Sequence, residues 1–233
     1  MSVVGVREKL SGIFAPIVTP FDEKGEIDFG ALKRNIGKMN QTPLRGYFVL
    51  GTNGEFRGSG YEEKIEVTKV VMSFRSNKVI IAGASCESTV ESVELARELS
   101  SLGVDFISLL PPSFFAKRMT DDALFGYFTE VAEHIGTPVL LYNNPSVANN
   151  VCLSSSLVTR VSKRPNTPEF LESKIVLRVI MIRILPLHWA RIAGFWLVQQ
   201  ISFFPPCFWG LWVGFYLWRM FFLICVVDCF LWL

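Results

Sequence analysis

Through about residue 165 the apolar positions switch regularly between two periods. Residues 12–21 (GIFAPIVTPF) form a short apolar run closed by prolines, as in a strand buried on both faces. Phe29, Leu32, Ile36 and Met39 follow at helical spacing, and residues 46–51 (GYFVLG) are apolar again and end in glycine. Val67, Val70, Val71 and Phe74 mark a second amphipathic helix, and residues 79–83 (VIIAG) a third buried strand. Ser88 and Glu91 have the spacing of a capping box ahead of a third helix, whose Leu95, Ala96 and Leu99 share a face. Residues 106–112 (FISLLPP) predict strand four, and Leu124, Phe128, Val131 and Ile135 predict helix four. Residues 138–145 (PVLLYNNP) predict strand five, and residues 154–161 (SSSLVTRV) start helix five.

Five successive βα units with strands apolar on both sides predict an α/β fold, a parallel sheet covered by helices, either doubly wound or a closed (βα)8 barrel. Both gather function at the carboxyl ends of the strands. The stretch after strand one, TPFDEKGEID, lacks G-x-G-x-x-G, which disfavours a dinucleotide fold. Three strand ends carry polar or aromatic groups: GTNGE (51–55) after strand two, PPSFF (111–115) after strand four and YNNP (142–145) after strand five. Taken singly, GTNGE reads as a helix-capping turn and Tyr142 as a strand-end aromatic with a satisfied hydroxyl. Together and in this order they point to an active face.

A formal net charge of +2 and the absence of a long basic run give no reason to expect nucleic acid or an acidic partner. Cys86, Cys152, Cys207, Cys225 and Cys229 fall at no zinc-like or oxidoreductase spacing, and their odd number argues against a secreted disulfide framework; no metal is expected. The opening residues, MSVVGVREKL, lack the apolar run of a signal peptide and make a poor transit peptide. These features favour a cytoplasmic location, with a mitochondrial one left open.

Through GTNGE on strand two, IAGASCEST (81–89) on strand three and YNNP on strand five, residues 12–166 resemble the class I aldolases of the dihydrodipicolinate synthase and N-acetylneuraminate lyase family. GTNGEF and AGASCEST are most similar to its 4-hydroxy-2-oxoglutarate aldolase branch. The resemblance implies a (βα)8 TIM barrel, of which about the first five βα units are present, and a strand-six lysine that forms a Schiff base with pyruvate or another 2-oxo acid. A protonated imine is an electron sink, so it stabilises the carbanion made when a carbon–carbon bond breaks or forms. Tyr142 matches the family tyrosine that relays protons. Thr52 and Asn53 match the pair that binds the 2-oxo acid carboxylate and supports the relay, and Glu55 matches a structural position. The implied activity is cleavage of a 4-hydroxy-2-oxo acid, such as 4-hydroxy-2-oxoglutarate, to pyruvate or glyoxylate-type products. It implies no cofactor, a small 2-oxo acid as substrate, and a homo-oligomer for an intact member.

The chain also departs from the family pattern. Members often carry a tyrosine in the strand-four loop that completes the relay across a subunit contact, and here Phe114 and Phe115 stand instead. The arginine with which synthases of the lysine pathway hold their second substrate falls at Val147, which argues against dihydrodipicolinate synthesis. Lys117 and Arg118 read either as an anion site on the strand-four loop or as a solvated charge pair.

Composition breaks near residues 165–170. All six tryptophans lie between Trp189 and Trp232, and from Ile175 onward the only charged residues are Arg178, Arg183, Arg191, Arg219 and Asp228. Where the family's strand six resembles I-x-G-I-K-D, this chain has NTPEFLESKIVLRVI (166–180); Lys174 is present, but its neighbours do not match. Residues 170–177, FLESKIVL, can be encoded TTC TTG GAA TCA AAG ATA GTT CTG. After a GAA codon for Glu169 and started one base earlier, the same bases read I-L-G-I-K-D-S-S, which resembles the family's Schiff-base strand. Allowed codons for residues 195–223, shifted the same way, give VLAGPADILLPSLFLGAVGGILSVADVFP, similar in character to the family's closing region. The tryptophans follow as well, since TTG or GTG before a glycine codon yields TGG when read one base late.

The expected organisation is therefore a partial TIM-barrel aldolase domain over residues 1–168 and an out-of-frame tail over residues 169–233, lacking the strand-six lysine and hence aldolase activity. The barrel, short of three strands, is expected to leave a sheet edge unpaired. The alternative is a non-catalytic half-barrel tethered to a membrane, since residues 203–233 are long enough to cross a bilayer. Against it, Pro205 and Pro206 interrupt the start of the span, Arg219 and Asp228 fall inside it, and no basic cluster flanks it.

Overall fold

The computed structural model describes residues 8–162, together with the backbone of Ile175–Val176 and Ile224–Cys225. The predicted strands form as β1 (Ile13–Pro16), β2 (Gly46–Val49), β3 (Val79–Gly83), β4 (Phe106–Leu109) and β5 (Val139–Leu141). They alternate with α1 (Phe29–Asn40), α2 (Tyr61–Phe74), α3 (Thr89–Ser101), α4 (Asp121–Glu133) and α5 (Ser155–Ser162). Strands adjacent in sequence pair in order and parallel, with Phe14 opposite Gly46, Phe48 opposite Ile81, Gly83 opposite Ser108 and Leu109 opposite Leu141. A doubly wound sheet reverses its strand order at a switch point. The unbroken order from β1 to β5 is barrel winding, which decides between the two architectures that periodicity left open.

Side-chain oxygens start four of the helices. Asp28 Oδ1 accepts from the Ala31 N–H at 2.8 Å, Thr120 Oγ1 from Ala123 at 3.3 Å and Ser154 Oγ from Leu157 at 3.0 Å. Ser88 Oγ accepts from Glu91 at 3.5 Å, which is one half of the expected capping box. Each such cap stabilises its helix by about 1 kcal/mol. The apolar faces pack as their spacing predicts: Leu32, Ile36 and Met39 of α1 and Leu95, Ala96 and Leu99 of α3 are buried. Phe74 is an exception. It lies exposed at the last position of α2, where the helix ends beyond the core, with the Lys33 ammonium 5.4 Å from its ring centroid.

The amino ends of the strands are held by charged residues that all find partners. Asp105, just before β4, accepts from Arg75 at 2.7 Å and from the Ile80 N–H at 3.0 Å, and also pairs with Lys9. Lys78, buried just before β3, donates to the Thr42 and Leu44 carbonyls, each at 2.8 Å. Arg45, just before β2, donates to the Lys9 carbonyl at 3.1 Å. Together these groups tie the ends of β1 to β4 to one another.

Both edges of the five-strand sheet meet further backbone. β6 (Ile175–Val176) pairs parallel with Val139 and Leu140 of β5, and β7 (Ile224–Cys225) pairs antiparallel with Ile13 and Phe14 of β1. The expected unpaired edge is thus corrected: an exposed row of N–H and C=O groups pairs with extended backbone in reach, two residues at each side. The antiparallel sense of β7 departs from the all-parallel ring of a closed (βα)8 barrel. Lys174 and, apart from β6 and β7, the rest of the tail with its candidate span 203–233 lie outside the described residues. Among the described residues no helix is long and apolar enough to cross a membrane.

Candidate active site

Past the carboxyl ends of β2 to β5 the chain borders a small, partly open cleft. Phe48, Leu50 and Thr52 line it from β2 and its loop, Gly83 and Ser85 from β3, Ser108 and Leu110 from β4, and Tyr142 from β5. The members from each strand are two residues apart, so the pleat sends them to one face and turns Tyr47, Val49, Ile107 and Leu109 toward the helices. Tyr47 accordingly donates to Asn40 Oδ1 of α1 at 2.7 Å.

The GTNGE segment builds one wall through its backbone. Thr52–Gly54 is a 3₁₀ turn, pinned to the end of β1 where Thr19 Oγ1 donates to the Gly54 carbonyl at 2.8 Å. Glu55 closes the turn in a left-handed conformation (φ 55°), its N–H bonded to the Thr52 carbonyl at 3.1 Å and its side chain exposed. Leu50 is also left-handed (φ 55°). For a branched residue this costs about 1–2 kcal/mol, and strain of this kind gathers at functional sites. Gly83 makes that bend possible: a Cβ there would lie 2.3 Å from the Leu50 carbonyl oxygen.

Two hydroxyls in the cleft wall, Thr52 Oγ1 and Ser108 Oγ, are buried and have no hydrogen-bond partner among the described residues. A third, Ser100 Oγ, lies on α3 and does not line the cleft. An unpaired buried hydroxyl costs about 1–3 kcal/mol, so two of them facing one space are poised for a polar ligand. Asn53 is half-buried beside Thr52 in the same turn and is not among the lining residues.

Tyr142 lines the same cleft as Thr52 and is 4% exposed, its ring edge-on to Phe48 at 5.8 Å and 74°. Its phenol oxygen accepts from Asn144 Nδ2 at 3.0 Å. Ser146 Oγ donates to Asn144 Oδ1 at 2.6 Å, which fixes the amide so that its NH₂ faces the phenol. Because Tyr142 uses a lone pair toward Asn144, its own O–H proton remains for another acceptor.

A polar latch holds the loops around the cleft. Glu87, after β3, accepts from the backbone N–H groups of Ser113 (2.7 Å) and Phe114 (2.9 Å) in the β4 loop, and from Arg57 at 3.0 Å. Arg57, from the β2 loop, also donates to Ser113 Oγ at 3.2 Å and reaches the Val147 carbonyl at 3.5 Å. Burial alone would raise the Glu87 carboxyl, but these N–H donors and the guanidinium outweigh it and hold the group below the usual glutamate range. Phe114 and Phe115 project from this fixed loop, 75% and 66% exposed and edge-to-face at 4.8 Å. Lys117 and Arg118 are exposed in the following turn, outside the cleft lining, which favours the solvated reading. Burial pushes the Cys86 thiol up, away from a reactive thiolate. No group of three or more His, Cys, Asp or Glu side chains is placed to hold a metal among the described residues.

The structure thus brings Thr52 and Tyr142 to one cleft. Sequence reasoning missed Ser108, Glu87 and Arg57. A serine inside the apolar run FISLLPP was the available signal for Ser108; nothing in the sequence pairs Glu87 with the β4 loop.

A singly wound parallel sheet with polar groups gathered at the carboxyl ends of its strands is the arrangement of an α/β barrel, the fold in which binding and catalytic groups sit at that face. The chain belongs to the dihydrodipicolinate synthetase family, whose model matches residues 9–170. A 4-hydroxy-tetrahydrodipicolinate synthase from Methanothrix thermoacetophila is 33% identical over 155 residues, 66% of this chain and 51% of that protein. A probable mitochondrial 4-hydroxy-2-oxoglutarate aldolase from Emericella nidulans is 27% identical over 165 residues, 69% of this chain and 53% of the relative. Among solved structures, a catalytic lysine mutant of Ruminococcus gnavus sialic acid aldolase superposes with a TM-score of 0.62 at 28% identity, covering 68% of this chain and 52% of that one. The chain spans about half the length of the relatives it matches.

Proposed function

We propose that the described residues are the substrate-recognition half of a Schiff-base aldolase that acts on a 4-hydroxy-2-oxo acid, with 4-hydroxy-2-oxoglutarate as the leading candidate. The observation that carries this reading is the cleft shared by the unpaired Thr52 hydroxyl and the Asn144-bound Tyr142 phenol. Thr52 and Asn53 receive the carboxylate of the 2-oxo acid, Thr52 through its hydroxyl. Tyr142 carries the proton to and from the reacting oxygen, its free O–H aimed by the Ser146–Asn144 chain. The absence of an arginine at position 147 weighs against the synthase reaction, and the aldolase and lyase names among the relatives support carbon–carbon bond chemistry.

On the same reading residues 169–233 are translated out of frame, so the chain as it stands lacks the imine-forming lysine and is inactive. The end of the family match at residue 170 supports this, as do the two shifted-frame segments. The exposed Phe114 and Phe115 rings supply apolar surface with which an intact member would associate with copies of itself. The test is the gene. Read one base earlier from residue 170 onward, the nucleotides should encode I-L-G-I-K-D or a near variant and no tryptophan cluster, and the repaired protein should cleave 4-hydroxy-2-oxoglutarate. Stop codons scattered through that frame, or no lysine codon across Ser173 and Lys174, would end the reading.

A further inference from the structure

We propose that Ser108 is a substrate-positioning residue, its hydroxyl donating to an oxygen of the bound 2-oxo acid from the β4 wall of the cleft that Thr52 also lines. The proposal rests on the reading above and adds a residue that the family resemblance does not supply. Ser108 is 1% exposed at the penultimate position of β4, lines the cleft, and has no hydrogen-bond partner among the described residues. Its neighbour in register on β3 is Gly83, so no side chain stands between the β4 hydroxyl and the β2 wall that carries Leu50 and Thr52. That gap is enforced, because the Leu50 carbonyl blocks any Cβ at position 83. On the other side Ser108 pairs in register with Leu140, whose aliphatic side chain offers the hydroxyl no acceptor.

A carboxylate or carbonyl oxygen bound in this cleft would supply an acceptor that the Ser108 hydroxyl lacks among the described residues. Hydrogen bonds from neutral donors to a charged acceptor are stronger than neutral pairs and gain further where water is excluded. Ser108 therefore fixes the orientation of the acid, and with it the side of the molecule turned toward Tyr142.

The experiment is a titration of the full chain with sodium pyruvate, followed by ligand-observed NMR, for the unaltered protein and for Ser108→Ala, Ser108→Cys and Ser100→Ala, with a thermal melt of each. Ser108→Ala and Ser108→Cys should each weaken pyruvate binding roughly tenfold. Ser108→Ala should melt at or above the temperature of the parent, since it removes an unpaired hydroxyl. A serine with only a structural role would lower the melting temperature on substitution. Ser100→Ala removes the orphaned hydroxyl outside the cleft and should leave pyruvate affinity unchanged. Equal pyruvate binding by the parent and both Ser108 variants would overturn the role of Ser108 and leave the aldolase reading standing. Pyruvate binding by none of the proteins, all with intact melts, would overturn both.

Discussion

The two ends of the sheet are built on opposite principles. At the amino ends, Asp105, Lys78, Arg75 and Arg45 are charged and partly or wholly buried, and each is matched to a carbonyl, an N–H or an opposite charge. At the carboxyl ends, Thr52 and Ser108 keep buried hydroxyls without a partner among the described residues, Leu50 holds a left-handed backbone, and the Tyr142 phenol accepts from Asn144. The same five strands thus carry a satisfied end that stabilises and an unsatisfied end that is ready to bind. In a βα barrel this division is the expected one.

The comparison breaks most visibly at Tyr142. In the frame-restored protein, Tyr142→Phe should lose roughly two to four powers of ten in kcat, the usual worth of a positioned proton-transfer group, with little change in melting temperature. Steady-state cleavage kinetics beside a thermal scan would show it, and a loss under tenfold would remove Tyr142 from the relay. At the other end, Asp105→Ala should leave Arg75 and the Ile80 N–H without their acceptor and cost about 3 kcal/mol of stability. Denaturant unfolding measures that cost, and pyruvate affinity should not follow it. A smaller effect is expected of Thr52→Val, which should weaken pyruvate binding about tenfold while the protein melts no earlier.

The smallest effect concerns the latch. The Glu87 carboxyl is held below its unfolded value near 4.3, so its contribution is fully present above that pH and is lost as pH falls through the lower folded value. Melting temperatures from pH 7 to pH 3 should therefore decline slightly more for the parent than for Glu87→Gln. Parallel curves would show that the latch adds nothing.

Much of this was legible in the sequence. Phe29, Leu32, Ile36 and Met39 disclosed α1 because a helix that buries one face repeats its apolar residues at that spacing. The strands disclosed themselves as short apolar runs because parallel strands are covered on both sides. Periodicity could not separate a wound barrel from a doubly wound sheet, since both alternate strand and helix; only pairing order does. Tyr142 and Thr52 were legible as polar groups at strand ends. Ser108 was hidden because its meaning depends on Gly83, twenty-five residues earlier, standing beside it in register. The left-handed turn at Leu50 was invisible for a related reason, being permitted by the same glycine on another strand. Phe74 misled because a helical stripe does not announce where the core stops.

On the proposed function, the recognition half is intact and the imine-forming lysine has been lost to a change of frame. Borohydride reduction in the presence of pyruvate, read by intact and peptide mass, addresses it directly when applied to this chain and to its frame-restored counterpart. The restored protein should acquire one reduced pyruvate adduct at the lysine of its I-L-G-I-K-D strand, and this chain should acquire none. An adduct on this chain mapped to Lys174, or a restored protein that traps no pyruvate, would contradict the account.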